Sequence, residues 1–132
     1  MKREEFQPAG LPAPISHYCD AVRWGDLLFV SGVAPLDERG KLVGGDDATA
    51  QTRQIFRNLK LMLDAAGADF GDVLKVTVFL TDMKTDFPAY NRLWAEYFRD
   101  AQPCRTTVEV TRLPTPIAIE LKCIATMPED RP

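Results

Sequence analysis

Hydrophobic and polar positions along this chain change period several times, and each change marks an element. From Leu74 to Leu80 apolar residues fall at every second place, with Leu74, Val76, Val78 and Leu80 on one side and Lys75, Thr77 and Phe79 on the other. That alternation predicts a strand over residues 73–80 with an apolar face. Between residues 47 and 66 the spacing lengthens: Ile55, Leu59, Met62, Leu63 and Ala66 recur three and four apart, as on one side of a helix. Asp46 or Asp47 stands at the N-cap position, and Gly67 stands where a glycine ends a helix in the left-handed conformation. A second helix is predicted from about Phe87 to Arg99, where Phe87, Tyr90, Leu93, Trp94, Tyr97 and Phe98 gather on one side. Its aromatic face reads as core rather than as a ligand-stacking platform.

Earlier in the chain, residues 20–24 and 27–31 read as two strands, with Gly25-Asp26 between them as a two-residue hairpin turn. Leu27-Leu28-Phe29-Val30 is apolar at every position, which predicts burial on both faces. Pro8 to Pro14 holds three prolines and a glycine, so residues 1–15 are expected to form an irregular arm, with ordered structure from near Tyr18. A turn-rich stretch covers Asp37 to Gly45. Two β-like runs end the chain, Pro103 to Leu113 and Ile117 to Ala125, joined by a proline-containing turn. The order strand, strand, helix, strand, helix, strand, strand predicts a single α+β domain over residues 1–132, with both helices on one face of a mixed sheet. Two helices cover only one face, so the other is expected to pack against further copies of the chain.

Composition adds bounds. The 132 residues, 45% hydrophobic and 27% charged, suit one globular domain with a real core. A formal net charge of −3 leaves no basic footprint for phosphates, so no nucleic-acid partner is expected. Met1-Lys2-Arg3-Glu4-Glu5-Phe6 has no apolar signal core, and no apolar run approaches the ~20 residues of a membrane span. A cytoplasmic protein with no membrane partner is the expectation. The three cysteines, Cys19, Cys104 and Cys123, have neither disulfide nor metal-ligand spacing and read as reduced thiols. With a single histidine, His17, and no glycine-rich phosphate loop, neither a metal nor a cofactor is expected.

Two charges stand out because they sit at strand positions, Arg105 in the first of the final runs and Glu120 in the second. A period of two puts Arg105, Thr107 and Glu109 on one side and Thr106, Val108 and Val110 on the other, and the valines are expected to face the helices. In the last run Ile117, Ile119, Leu121 and Cys123 form the apolar set, leaving Ala118, Glu120, Lys122 and Ile124 opposite. Arg105 and Glu120 are therefore expected to share the face away from the helices, where copies would meet. On periodicity alone the pair reads first as a structural ion pair across two strands.

The run Pro103-x-Arg105 through Leu113-Pro114 to Ile119-Glu120 occurs together with Tyr18-x-x-Ala21-Val22, Leu28-Phe29-Val30-Ser31-Gly32, Gln51-Thr52, Asn58-Leu59, Asp72-Val73 and Asn91. In order and spacing this set resembles the reactive intermediate deaminase family, RidA/YjgF-like and also known as endoribonuclease L-PSP, over nearly the whole chain. The resemblance implies a fold of the chorismate mutase type, a homotrimeric barrel of sheets, and active sites in the clefts between subunits. It implies hydrolysis of a reactive 2-enamine or 2-imine to a 2-keto acid and ammonia, with no cofactor. Arg105 would hold the substrate carboxylate in its planar fork of donors, and Glu120 would activate water, which reverses the ion-pair reading. Tyr18, Ser31, Gly32, Asn91 and Thr107 match pocket positions: Tyr18 is a further candidate catalytic residue, and the others are candidate substrate contacts. Thr107 stands where characterised deaminases commonly carry cysteine. Alternatives kept open are a non-catalytic module that binds small carboxylates such as 2-keto acids at the same clefts, and a catabolic deaminase of aminomuconate- or aminoacrylate-type enamines. A ribonuclease ranks below both.

Overall fold

A computed structural model of the chain describes residues 2–128. Six strands form one sheet: β1 (Arg3–Phe6), β2 (Ala21–Trp24), β3 (Leu27–Val33), β4 (Val73–Leu80), β5 (Cys104–Glu109) and β6 (Ile119–Thr126), in the spatial order β1-β2-β3-β6-β4-β5. All neighbours are antiparallel except β4 and β5, which run parallel. A parallel pair needs a crossover, and α2 (Met83–Tyr97) supplies it between β4 and β5. The other helix, α1 (Ala48–Ala66), follows β3.

Local signals set the helix ends. The Asp47 carboxylate accepts from the amides of Thr49 and Ala50, and Gly67 closes α1 at φ 80°. Gly25 turns the β2–β3 hairpin at φ 63°. The fold is the predicted mixed sheet with two helices, and the strand predicted at 73–80 has those bounds.

Three expectations are corrected. Residues 3–6 of the predicted irregular arm form β1, paired with β2 from Arg3 opposite Trp24 to Phe6 opposite Ala21. Arg3-Glu4-Glu5 carries no apolar alternation, and backbone pairing at the sheet edge holds the strand. Second, α2 starts at Met83, four residues before the expected start at Phe87, because the Asp82 side chain caps it at the amide of Thr85; Pro88 lies inside it. Third, Leu74 is exposed rather than buried, because a register shift between Val73 and Lys75 against β6 turns Val73 inward instead. Within one chain the helices cover one face of β3, and the face expected to pack against further copies is open. Leu28 and Val30 are buried, whereas Leu27 and Phe29 keep 39% and 42% of their surface exposed.

The covered face packs Leu28, Val30, Val76, Val78, Ile119, Leu121 and Cys123 against Ile55, Phe56, Leu59, Met62 and Tyr90 of the helices. Phe56 is the hub. Its ring stacks on Tyr97 at 4.2 Å and meets Phe70, Trp94 and Phe98 edge-on at 6.1, 6.1 and 5.9 Å. The opposite face leaves Trp24, Leu27, Phe29 and Val108 exposed. Phe56→Ala opens a cavity among four rings and is expected to remove about 3–5 kcal/mol of stability, read from denaturant unfolding. A loss under ~1 kcal/mol would show that the aromatic cluster collapses into the space.

Candidate active site

Arg105 is placed by its strand and gripped by a helix. The register of β5 on β4 sets Arg105 beside Val76, Thr107 beside Val78 and Glu109 beside Leu80, all three partners being core residues. Arg105, Thr107 and Glu109 therefore point to the helix-covered face, and Val108 to the open one, the reverse of the expected orientation. The physical reason is the crossover: α2 returns over this edge of the sheet and offers polar partners that the valines would leave unused. The Glu109 carboxylate accepts from the Met83 amide at 2.9 Å, a favourable place for a negative charge at a helix start. The hydroxyls of Thr107 and Tyr90 lie 2.7 Å apart in a hydrogen bond. Arg105 Nη1 donates to Asn91 Oδ1 at 3.0 Å. Its guanidinium carbon lies 4.8, 5.2 and 5.8 Å from the ring centres of Trp94, Tyr90 and Phe87.

The structure thus brings together Arg105, Asn91 and Thr107 of the predicted set. It adds Phe87, Tyr90 and Trp94, so the aromatic face of α2 is core and also a seat for Arg105. The sequence carried that signal in the spacing Phe87, Tyr90-Asn91, Trp94, one stripe of a helix. Beside the guanidinium opens a groove of about 670 Å³, lined among others by Trp94, Phe98, Arg99 and Pro103. Burial pushes the Tyr90 phenol above its ordinary pKa, opposed by Thr107 and Arg105.

Glu120 belongs to a second cluster. On β6 the buried residues are Ile119, Leu121, Cys123 and Ala125, so Glu120 lies on the open face, in register with Phe79 of β4. It packs onto Gly32: a Cβ at that position would stand 2.7 Å from Glu120 Oε1. Ser31 Oγ donates to the Cys19 carbonyl at 2.8 Å, and the Ser31 amide donates to the Asp20 carbonyl at 2.9 Å, which pins the loop carrying half-exposed Tyr18 to β3. Burial raises the pKa of Glu120. Burial likewise raises Asp20, whose carboxylate accepts from Gln7.

The expectation that Arg105 and Glu120 share one face of one chain is therefore overturned. They lie on opposite faces with β4 between their strands, two strand spacings or about 10 Å apart along the sheet. Neither forms an ion pair among the described residues, which removes the structural ion-pair reading. Of the thiols, Cys104 is exposed and Cys19 half-buried, and burial pushes Cys123 up to about 12. No group of three or more potential metal ligands occurs among the described residues. No helix among them is long and apolar enough to cross a membrane.

The sequence model of the family described as endoribonuclease L-PSP matches residues 9–127. The chain belongs to this family, the RidA/YjgF reactive intermediate deaminases. Among relatives of this L-PSP family member, the chloroplastic Reactive Intermediate Deaminase A of Arabidopsis thaliana is 38% identical over 128 residues, covering 96% of this chain and 67% of that protein. The 3-aminoacrylate deaminase RutC of Acinetobacter baylyi is 37% identical over 125 residues, covering 95% and 98% of the two chains. Among solved structures, the YjgF gene product of E. coli superposes with a TM-score of 0.85 at 35% identity over 93% of this chain and 98% of its own.

The buried setting of Glu120 has a measurable signature. Because its folded pKa lies above the ordinary 4.5, folding penalises the ionised form. The penalty is absent while the carboxyl is protonated in both states, grows as pH rises from the unfolded to the folded pKa, and is complete above the latter. Melting temperatures of Glu120→Gln and the unchanged protein, compared across that window, are expected to diverge in favour of Gln as pH rises. Divergence in the other direction would mean that the folded state favours the charge.

Proposed function

We propose that this protein hydrolyses reactive 2-enamine and 2-imine acids to 2-keto acids and ammonia, as an enamine/imine deaminase. The observation that carries the reading is the state of two charges: among the described residues Arg105 is fixed in place with no carboxylate partner, and Glu120 is desolvated with no cation. Charges held in that way need a ligand to complete them. The names of the Arabidopsis and Acinetobacter relatives support the same chemistry.

The separation of the two clusters supports a composite site. One chain presents an Arg105–Asn91–Thr107 half on β5 and α2, and a Glu120–Gly32–Ser31–Tyr18 half on β6, β3 and the loop before β2. We infer that adjacent copies, covering the apolar open face in a homotrimer, bring the first half of one against the second half of the next. Arg105 holds the substrate carboxylate by charge-assisted donors and fixes the imine carbon. A water oriented by Glu120 attacks that carbon. The substrate reacts as its protonated iminium: the water oxygen bonds to carbon as the C=N π pair moves onto nitrogen, and one water proton passes to the carboxylate, giving a neutral tetrahedral carbinolamine. Protonated Glu120 then gives its proton to the nitrogen; as the carbon–nitrogen bond breaks, the regenerated carboxylate takes the hydroxyl proton, the keto group forms, and the nitrogen leaves with that proton as ammonium. The raised pKa of Glu120 suits both transfers, since it keeps the group closer to the pH at which it must accept and donate.

The test uses 2-imino acids generated in situ by an amino acid oxidase, with semicarbazide competing for the imine. Arg105→Ala and Glu120→Gln are each expected to lose acceleration. Mixed one to one and reassembled, the two inactive variants are expected to recover about a quarter of the unchanged rate, the chance that an interface joins two intact halves. Recovery of nothing would sink the shared site, and unaltered activity in either single variant would remove that residue's role.

A further inference from the structure

We infer that Trp94, Tyr90 and Phe87 act as a positioning platform for Arg105, locked in place by the hydrogen bond between Tyr90 and Thr107. The inference rests on the carboxylate-holding role of Arg105 proposed above and says what makes that side chain competent.

The sheet gives Arg105 no rigidity of its own. It lies on β5, the last strand of the order, with a long side chain that in solvent samples many rotamers. Four residues of α2 remove that freedom. Phe87, Tyr90, Asn91 and Trp94 follow the three-and-four spacing of one helical stripe, and all four meet this one guanidinium. Asn91 engages a single terminus, Nη1, and fixes the in-plane direction of the fork. The three rings, with centres within 6 Å, supply attraction to the cation from their faces.

Tyr90 carries the second part of the argument. It is fully buried, so its hydroxyl requires a partner, and Thr107 at 2.7 Å is that partner. Thr107 is two residues beyond Arg105 on the same face of the same strand, so the bond ties the ring to the backbone that carries the guanidinium. Helix stripe, strand and side chain form one closed unit. Such a unit spends the ordering of Arg105 at folding rather than at substrate binding, and its apolar floor strengthens the guanidinium–carboxylate attraction. Its loss should therefore weaken binding of the carboxylate more than it slows the chemical step.

The experiment compares Trp94→Leu, Trp94→Phe, Phe87→Leu and Tyr90→Phe in imine turnover and in binding of a 2-keto acid by calorimetry. Thermal melts confirm that each is folded. Trp94→Leu is expected to raise KM and the keto-acid Kd about tenfold with kcat within about twofold, and Trp94→Phe to restore most of the loss. Phe87→Leu, whose ring is the most distant, and Tyr90→Phe, which keeps the ring but frees it from Thr107, are each expected to cost severalfold. Imines bearing a carboxamide in place of the carboxylate are expected to be indifferent to all four. An NMR readout independent of activity is the Arg105 Nε–Hε resonance, expected upfield through ring currents and returned towards the free position in Trp94→Leu. Unchanged KM and Kd in folded Trp94→Leu would overturn the platform and leave the rings as core packing. Should Trp94→Leu not fold, the same criteria applied to Phe87→Leu decide. Absence of Arg105-dependent turnover in the unchanged protein would defeat the deaminase reading instead, and keto-acid affinity with the resonance shift would still judge the platform.

Discussion

The seam between α2 and the parallel pair β4–β5 is the constraint on which the rest of this molecule depends. Parallel neighbours cannot be joined by a tight turn, so the chain must cross over the sheet, and the crossing helix decides which side of β5 is inside. Its aromatic stripe serves two masters. Tyr97 and Trp94 pack on Phe56 in the core, while Trp94 again, with Tyr90 and Phe87, meets a cation on the edge strand. The same packing that holds the helix to the sheet therefore aims Arg105.

A second consequence of this topology is that no single chain holds both charges in one place. Glu120 rides on the strand between β3 and β4 and faces away from the helices, on a sheet surface where Trp24, Leu27, Phe29 and Val108 lie open to water. An apolar sheet face beside a desolvated carboxylate is poorly matched to solvent and well matched to another copy of itself. Interface and chemistry are, on the proposed reading, the same surface: the contact that shields the apolar residues also supplies the missing half of each site.

How much of this was legible in the sequence follows from which signals are local. Asp47 and Gly67 fix the ends of α1 by groups within a few residues of each other, and alternation over residues 73–80 gave a strand with its bounds. Alternation states which residues share a face, but not which face is covered. Val108 and Val110 looked inward because they are apolar, whereas the deciding fact was the path of α2, set by contacts far apart in the chain. The same limit hid β1, whose Arg3-Glu4-Glu5 has no apolar period and gains its order from pairing with β2. It also hid the bulge at Val73–Lys75, which moved Leu74 outward without any glycine or proline to announce it. Arg105 and Glu120 stood out as charges at strand positions and the other site residues came from the resemblance, whereas their division into two clusters emerged only with the strand order.

Gly32 carries an implication for how this protein can change over time. Its φ does not demand glycine; the space above its Cα is occupied by the end of the Glu120 side chain. A methyl group there would meet a flexible carboxylate, which can swing aside with little disturbance to the fold. What moves is the carboxylate that orients water in the proposed chemistry. Position 32 is thus a place where selection for folding is nearly blind and selection for turnover is not, and a survey of mutants by melting temperature or expression would record it as permissive.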